Sequence, residues 1–192
     1  MRGLCEVHQH TQAATAAIEG YGPEVLGFLL NILGTEEAAE EAFSLFSENL
    51  WRGLPRFQWR ASLRTWAYTV ARHAAYRVRE AQRGAERHVP LSDSPVREMA
   101  QRVRTTTMPY QRTAVKNEIT RLRESLPEDD RVLLVLRLDR QLPWEEIAEV
   151  MLGEESPARA VLTRESARLR KRFQLLKDKL REQAVASGLL DS

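Results

Sequence analysis

The sequence predicts an all-α protein made of two small helical domains joined by a flexible linker, and three observations carry the prediction. Apolar residues recur at helical spacing in almost every stretch long enough to judge, and no segment alternates apolar and polar positions as a half-buried strand does. Between about Gly84 and Thr113 that period gives way to Pro, Ser, Thr and scattered charge, with Pro90, Pro95 and Pro109 placed to break any helix. Charge falls in four blocks: net −6 over residues 1–55, +8 over 56–112, −5 over 113–155 and +5 over the remainder. An acidic block followed by a basic one, twice over, fits two modules that each join a protein-facing surface to a polyanion-facing one. Ordinary solvated helix faces are the plainer reading of the same charges.

Each element has its own signal. Gly22 and Pro23 are expected to open an apolar helix through Val25, Leu26, Leu29, Leu30 and Leu33 that Gly34 ends. Thr35 then caps a second helix with Glu36 and Glu37 in its first turn, where the helix dipole favours anions; it should run to about Leu54, before Pro55. Ser62 caps a third, with Leu63, Trp66, Ala67, Val70, Ala71, Ala74 and Val78 on one buried face. After the linker, a helix is expected over about Ala114 to Ser125. Another follows Pro127 with Val132, Leu133, Val135 and Leu136 inward, and a short one runs from Trp144 to Leu152, stopped by Gly153. A last helix carries the stripe Leu169, Phe173, Leu176, Leu180.

Composition excludes several classes. With 43% hydrophobic and 29% charged residues the chain of 192 is globular, with room for one ordinary domain or two small ones. No run approaches the roughly 18 apolar residues of a membrane span and no signal-peptide pattern opens the chain, so a soluble, cytoplasmic protein without membrane contact is expected. Cys5 has no second cysteine to pair with. Cys5, His8 and His10 are too few for a closed zinc site. With no Gly-rich phosphate loop, catalytic acid pair or nucleophile beside a base, neither an enzyme nor a cofactor is predicted.

The residues that carry chemistry are cationic and aromatic. In the third helix Arg64, Tyr68, Arg72, Tyr76, Arg79 and Arg83 follow one another at three or four residues, a ladder suited to single-stranded nucleic acid, where cations hold phosphates and rings stack on bases. The loop 55–61 adds Arg56, Phe57, Trp59 and Arg60, which could form a pocket for an unstacked base or simply anchor the core. The short helix at Trp144, the break at Gly153 and the long cationic helix follow a helix-turn-helix plan. Arg164, Arg168, Lys171 and Arg172 are placed to enter a major groove.

At these residues the chain resembles the bacterial extracytoplasmic-function sigma factors, over about Tyr21 to Glu182. The stretch Trp51 to Glu80 is similar to the family's region two, with its signature at Ser62, Thr65, Trp66, Ala71 and Arg72; Leu126 to Leu152 is similar to the start of region four, with Glu145 to Ala148 as its signature. The resemblance implies an N-terminal extension (1–19), sigma region two (20–83), a linker (84–113) and sigma region four (114–187). It implies core RNA polymerase and promoter DNA as partners, and leaves an anti-sigma factor or a Ser/Thr kinase open as a third. By the same resemblance the helix after Thr35 docks on polymerase through Glu40, Glu41, Ser44 and Glu48. Arg56, Trp59, Arg60, Arg64, Tyr68, Arg72, His73, Tyr76 and Arg79 meet the minus-10 element, and Arg164, Arg168, Arg170, Lys171, Arg172 and Gln174 meet the minus-35 element. Trp66 stands near the unpaired strand or in the core. A thirty-residue linker reaches roughly 100 Å extended, against roughly 70 Å for two turns of DNA.

Three departures stand out. The docking helix keeps Glu40 and Glu41 but has Ala38, Ser44 and Leu45 where the family commonly carries Asp, Gln and Glu; a phosphate on Ser44 or Ser47 would add about −1.5 to −2 charge. Roughly ten extra residues between Gly153 and Arg168 lengthen the expected turn, with Ser156-Pro157 or Thr163 able to cap an added helical turn, which makes Arg164 the least secure contact. His73 replaces the family's usual Asn. Removing charge at Arg168 with Arg172 is expected to weaken promoter binding and flatten its salt dependence. The rival readings are a free-standing helix-turn-helix regulator and a protein-interaction adaptor.

Overall fold

Helix α1 starts well upstream of the proline expected to open it. In the computed structural model, which describes residues 10–84, 98, 100–103, 123, 125–154 and 157–186, it runs His10–Leu33 with Pro23 inside. Ala13, Ala14, Ala17 and Ile18 are fully buried, so packing of the first turns outweighs a proline that ordinarily costs about 3 kcal/mol. Residues 10–19 are thus part of the folded body rather than an extension. Gly34 ends the helix as expected, at φ 81°, with its N–H on the Leu30 carbonyl at 2.9 Å.

The chain divides into two compact units between Thr113 and Ala114. In unit one, α2 (Glu36–Gly53) begins where Thr35 Oγ1 accepts the Ala38 N–H at 3.3 Å. Ala38, Ala39, Ala42, Phe43, Phe46 and Leu50 are buried on it; the small residues let α1 and α3 come close. A 3₁₀ turn, Leu54–Arg56, starts on Pro55 and leads to α3 (Leu63–Gly84). Ser62 caps α3, its Oγ accepting the Thr65 N–H at 3.0 Å. The three helices pack against one another around an apolar centre that includes Phe28, Phe43, Phe46 and Tyr68.

The segment expected to be wholly linker contributes to this unit. Residues 98 and 100–103 are helical, and Ala100 and Val103 are buried. The Pro, Ser, Thr and scattered charge of this stretch show no apolar period, so the sequence concealed it. A Cβ on Gly22 would lie 2.9 Å from Val103 Cγ1 and 3.3 Å from Phe43 Cζ. Gly22→Ala is therefore expected to lose the roughly 0.5–1 kcal/mol that alanine brings to a helix interior, and to regain it in a Val103→Ala background. Urea unfolding of the four combinations measures this, and additive values would exclude the contact.

In unit two, α4 (Glu128–Leu134) passes into a π turn, Val135–Asp139, with Val132 to Leu136 buried. The helix expected over 114–125 lies outside the described residues except at Arg123 and Ser125; Arg123 grips Asp139 through two hydrogen bonds of 3.1 and 3.2 Å. Helix α5 (Trp144–Leu152) stops at Gly153 in the left-handed conformation, φ 71°. Helix α6 (Arg159–Ala186) begins about a turn and a half after that stop, earlier than the family pattern implied. The Ala158 carbonyl accepts from Val161 and Leu162 at 2.8 and 3.1 Å, and Thr163 is no cap: its hydroxyl donates to the Arg159 carbonyl inside the helix. Much of the extra sequence lengthens the helix rather than the turn.

Glu149, in the last turn of α5, has its carboxyl pushed up from the ordinary range by burial first and then by Glu146 and Glu145. A raised folded value means that its contribution is fully present below the unfolded range and is lost as pH rises through the folded value. Glu149→Gln is expected to raise the melting temperature of the chain at neutral pH, an advantage that vanishes in acid; an equal gain at both pH values would remove the electrostatic cause.

Candidate nucleic-acid interface

Three rungs of the arginine–tyrosine ladder, Arg64, Tyr68 and Arg79, bond to α1, while Arg83 is exposed. Arg64 clamps Glu24 with two hydrogen bonds, 2.8 and 3.1 Å, which raise its pKa, and the Tyr68 hydroxyl donates to the same carboxylate at 3.2 Å. Tyr68 itself is 1% exposed, edge-on to Phe28. Arg79 donates at 2.7 Å to the Ile32 carbonyl at the end of α1, satisfying a terminal acceptor with a cation where the helix dipole favours one. Arg72 is 9% exposed, with its guanidinium 4.9 Å over the Tyr76 ring. The sequence shows one buried face, but α3 packs on two helices, and the second contact takes the flank that carries the ladder. Tyr68 is accordingly corrected from a strand-facing residue to a buried strut of the bundle, and the half-exposed Arg64 and Arg79 are held to α1.

The solvent line of α3 is instead His73, Arg77 and Glu80, all exposed. Together with Asn49 of α2, Arg72 and Tyr76 they line an open groove of about 590 Å³. Of these lining residues the sequence had singled out Arg72, His73 and Tyr76; Arg77 follows His73 by one helical turn, which was the available signal. Burial of part of the imidazole, and then the charge of Arg72, lower the His73 pKa, so the ring is neutral at neutral pH.

The loop before α3 divides its aromatics between two tasks. Trp66 is 6% exposed and stacked on Phe57 with centroids 4.7 Å apart, and a Cβ on Gly53 would come within 2.9 Å of its indole, so it belongs to the core. Trp59 is half-buried at φ 57°, tilted 5.0 Å from Phe57, and stays available with the exposed Arg56 and Arg60.

On α2 the acidic face is presented outward: Glu40 is exposed, and Glu41, Ser44 and Glu48 are half-exposed. Ser44 donates to the Glu40 carbonyl at 3.0 Å and Glu48 pairs with Arg52 at 2.8 Å. Ser47 is 2% exposed and bonded to the Phe43 carbonyl at 2.8 Å, which removes it as a site for a modifying enzyme.

On α6 Arg164, Arg168, Arg170 and Lys171 are exposed, away from the buried Leu169, Phe173 and Leu176, and Arg164 and Lys171 lie two turns apart on one face. Arg168 is held in a bidentate pair with Glu165, at 2.6 and 2.8 Å, on the edge of that face. Arg172 turns inward to Asp130 at 2.6 Å, tying α6 to α4; it is a strut, not a free contact. Arg170 stands 5.9 Å over Trp144, and the exposed Gln174 reaches Asp178 at 3.5 Å. Arg164, the least secure contact by sequence, is exposed within α6.

Residues 17–84, from within α1 to the last residue of α3, match the family model for Sigma-70 region 2. This segment is similar to sigma-70 region 2 domains. Such a domain binds core RNA polymerase and promoter DNA and supports a role in transcription initiation, without catalysis of its own. No curated protein and no solved structure matches the chain. Among the described residues, no helix is long and apolar enough to cross a membrane, and no three His, Cys, Asp or Glu side chains group as metal ligands.

Proposed function

We propose that the chain is a sigma factor of the extracytoplasmic-function type, which docks on core RNA polymerase through the outer face of α2 and directs initiation at promoters with minus-10 and minus-35 elements. The observation that carries the reading is the region 2 match over 17–84; in that segment α2 has an acidic outer face, the loop before α3 holds Trp59 with the exposed Arg56 and Arg60, and α3 exposes His73 and Arg77 beside Tyr76. Single-stranded DNA suits that surface, because its rings can stack only on exposed bases. Unit two supports a region-four role on its own residues: α5, a stop at Gly153 and α6 with Arg164 and Lys171 outward suit a major groove. Ser44 remains the accessible position where a phosphate would restore negative charge to α2. A cytoplasmic location follows from this role.

Transcription in vitro from a genomic library, with core polymerase in the presence and absence of the chain, tests the proposal. New start sites that depend on the chain are expected. A footprint on duplex DNA without polymerase, and no new starts with it, would instead assign a free-standing regulator.

A further inference from the structure

Two features of unit one have no part in the proposed function: a Gly-Pro pair inside α1, and a helical turn of the linker seated on that glycine. Glycine and proline are the poorest helix formers, yet α1 runs through Gly22 and Pro23. Without a side chain, Gly22 leaves a notch that Val103 fills, its Cγ1 and Cγ2 2.9 and 3.3 Å from where a Cβ would stand. Ala100 and Val103, one helical turn apart, are 2% and 8% exposed, while Glu98, Gln101 and Arg102 are exposed. Seating this turn changes the length of the tether. From Gly84, which ends α3, to Arg123, bonded to Asp139 of unit two, the chain advances 39 residues; from Val103 it advances 20. Fully extended, these reach about 130–140 Å and about 66–72 Å, and two turns of DNA take roughly 70 Å. The longer tether covers that span at about half its extension. The shorter one covers it only when drawn nearly straight, which removes the conformational freedom of every residue in it. Two small apolar side chains hold the turn, so its contact opens before the chain is drawn out.

We propose that the turn carrying Ala100 and Val103 is a releasable clip: seated in the Gly22 notch it shortens the tether of the free chain, and it leaves the notch when both modules engage a promoter. The inference rests on the sigma-factor reading and adds to it a conformational step on the way to initiation, controlled by Gly22 and Val103.

The test locks the clip reversibly in the full chain. In a disulfide the far sulfur lies roughly 3 Å from the first Cβ, the separation that Val103 Cγ1 already has from a Cβ at Gly22. Gly22→Cys with Val103→Cys should therefore oxidise to a bridge, with Cys5, the one native cysteine, changed to Ser. Transcription is measured with core polymerase on a promoter that the parent activates, using one preparation of the variant oxidised and then reduced. The oxidised chain is expected to bind core polymerase as the parent does but to initiate at least roughly tenfold less, and reduction should restore it. About twenty Gly and Ser residues inserted after Thr113 replace the reach that the lock removes, and should return the oxidised chain to full activity. Cysteines that do not bridge would show that the turn is not seated in the notch. An oxidised chain as active as its reduced form would show that the clip need not open, and a loss that reduction or the insertion fails to reverse would show a cause other than length. Each of these overturns the inference. A parent that starts no transcript with core polymerase defeats the sigma reading instead, whereas the bridge reports the seated turn in either case.

Discussion

Trp66→Ala is expected to remove about 3–5 kcal/mol from the stability of unit one, the usual cost of deleting a large buried ring. Trp66 is 6% exposed, stacked on Phe57 and pressed against Gly53, and no flexible side chain among those contacts is long enough to fill the vacated space. Small domains hold only about 5–15 kcal/mol in total, so polymerase binding should be lost together with the fold. Trp59→Ala is the contrast. Its ring is half-buried on a loop, and its loss should cost little stability and leave polymerase binding intact, while weakening single-stranded DNA by about 1–3 kcal/mol if the ring stacks on a base. Urea unfolding followed by circular dichroism reads the first effect and anisotropy the second. A Trp66→Ala chain as stable as its parent would show that this residue is not the anchor.

The second large effect is expected at Arg164 and Lys171. Neither makes a hydrogen bond or ion pair among the described residues, and both are exposed on α6. Their joint replacement by alanine should leave the melting temperature unchanged and lower promoter affinity roughly 10- to 1,000-fold, with the slope of log affinity against log salt reduced by about 2. The pair Arg168 and Arg172, which spacing alone favours, is a poorer test. Arg172 holds Asp130 at 2.6 Å across the unit, so its removal leaves a half-buried carboxylate without that partner and weakens binding through loss of the fold. Unchanged affinity and slope in the Arg164→Ala, Lys171→Ala chain would remove α6 as a groove-reading helix.

These expectations differ in what they draw from. Thr35 and Ser62 cap their helices, Gly34 and Gly153 end theirs, and the stripe Leu169, Phe173, Leu176 is buried. All of these are legible along the chain because caps, stops and periods act within a few residues. The helical class and the resemblance to region 2 read at Ser62, Thr65 and Trp66 belong to the same local code. The start of α1 does not: Pro23 argues for a boundary, and only burial of Ala13, Ala14, Ala17 and Ile18 carries the helix back to His10.

The sequence by itself determined that this chain is helical, where most helices stop, and that cations and aromatics gather on α3 and α6. Tertiary structure alone decided which of those cations are struts and which are presented. Glu24 lies far from Arg64 in the chain, the Ile32 carbonyl far from Arg79, and Asp130 far from Arg172. A period of 3.6 residues describes one face of one helix, and says nothing of a second helix that comes to rest on its flank.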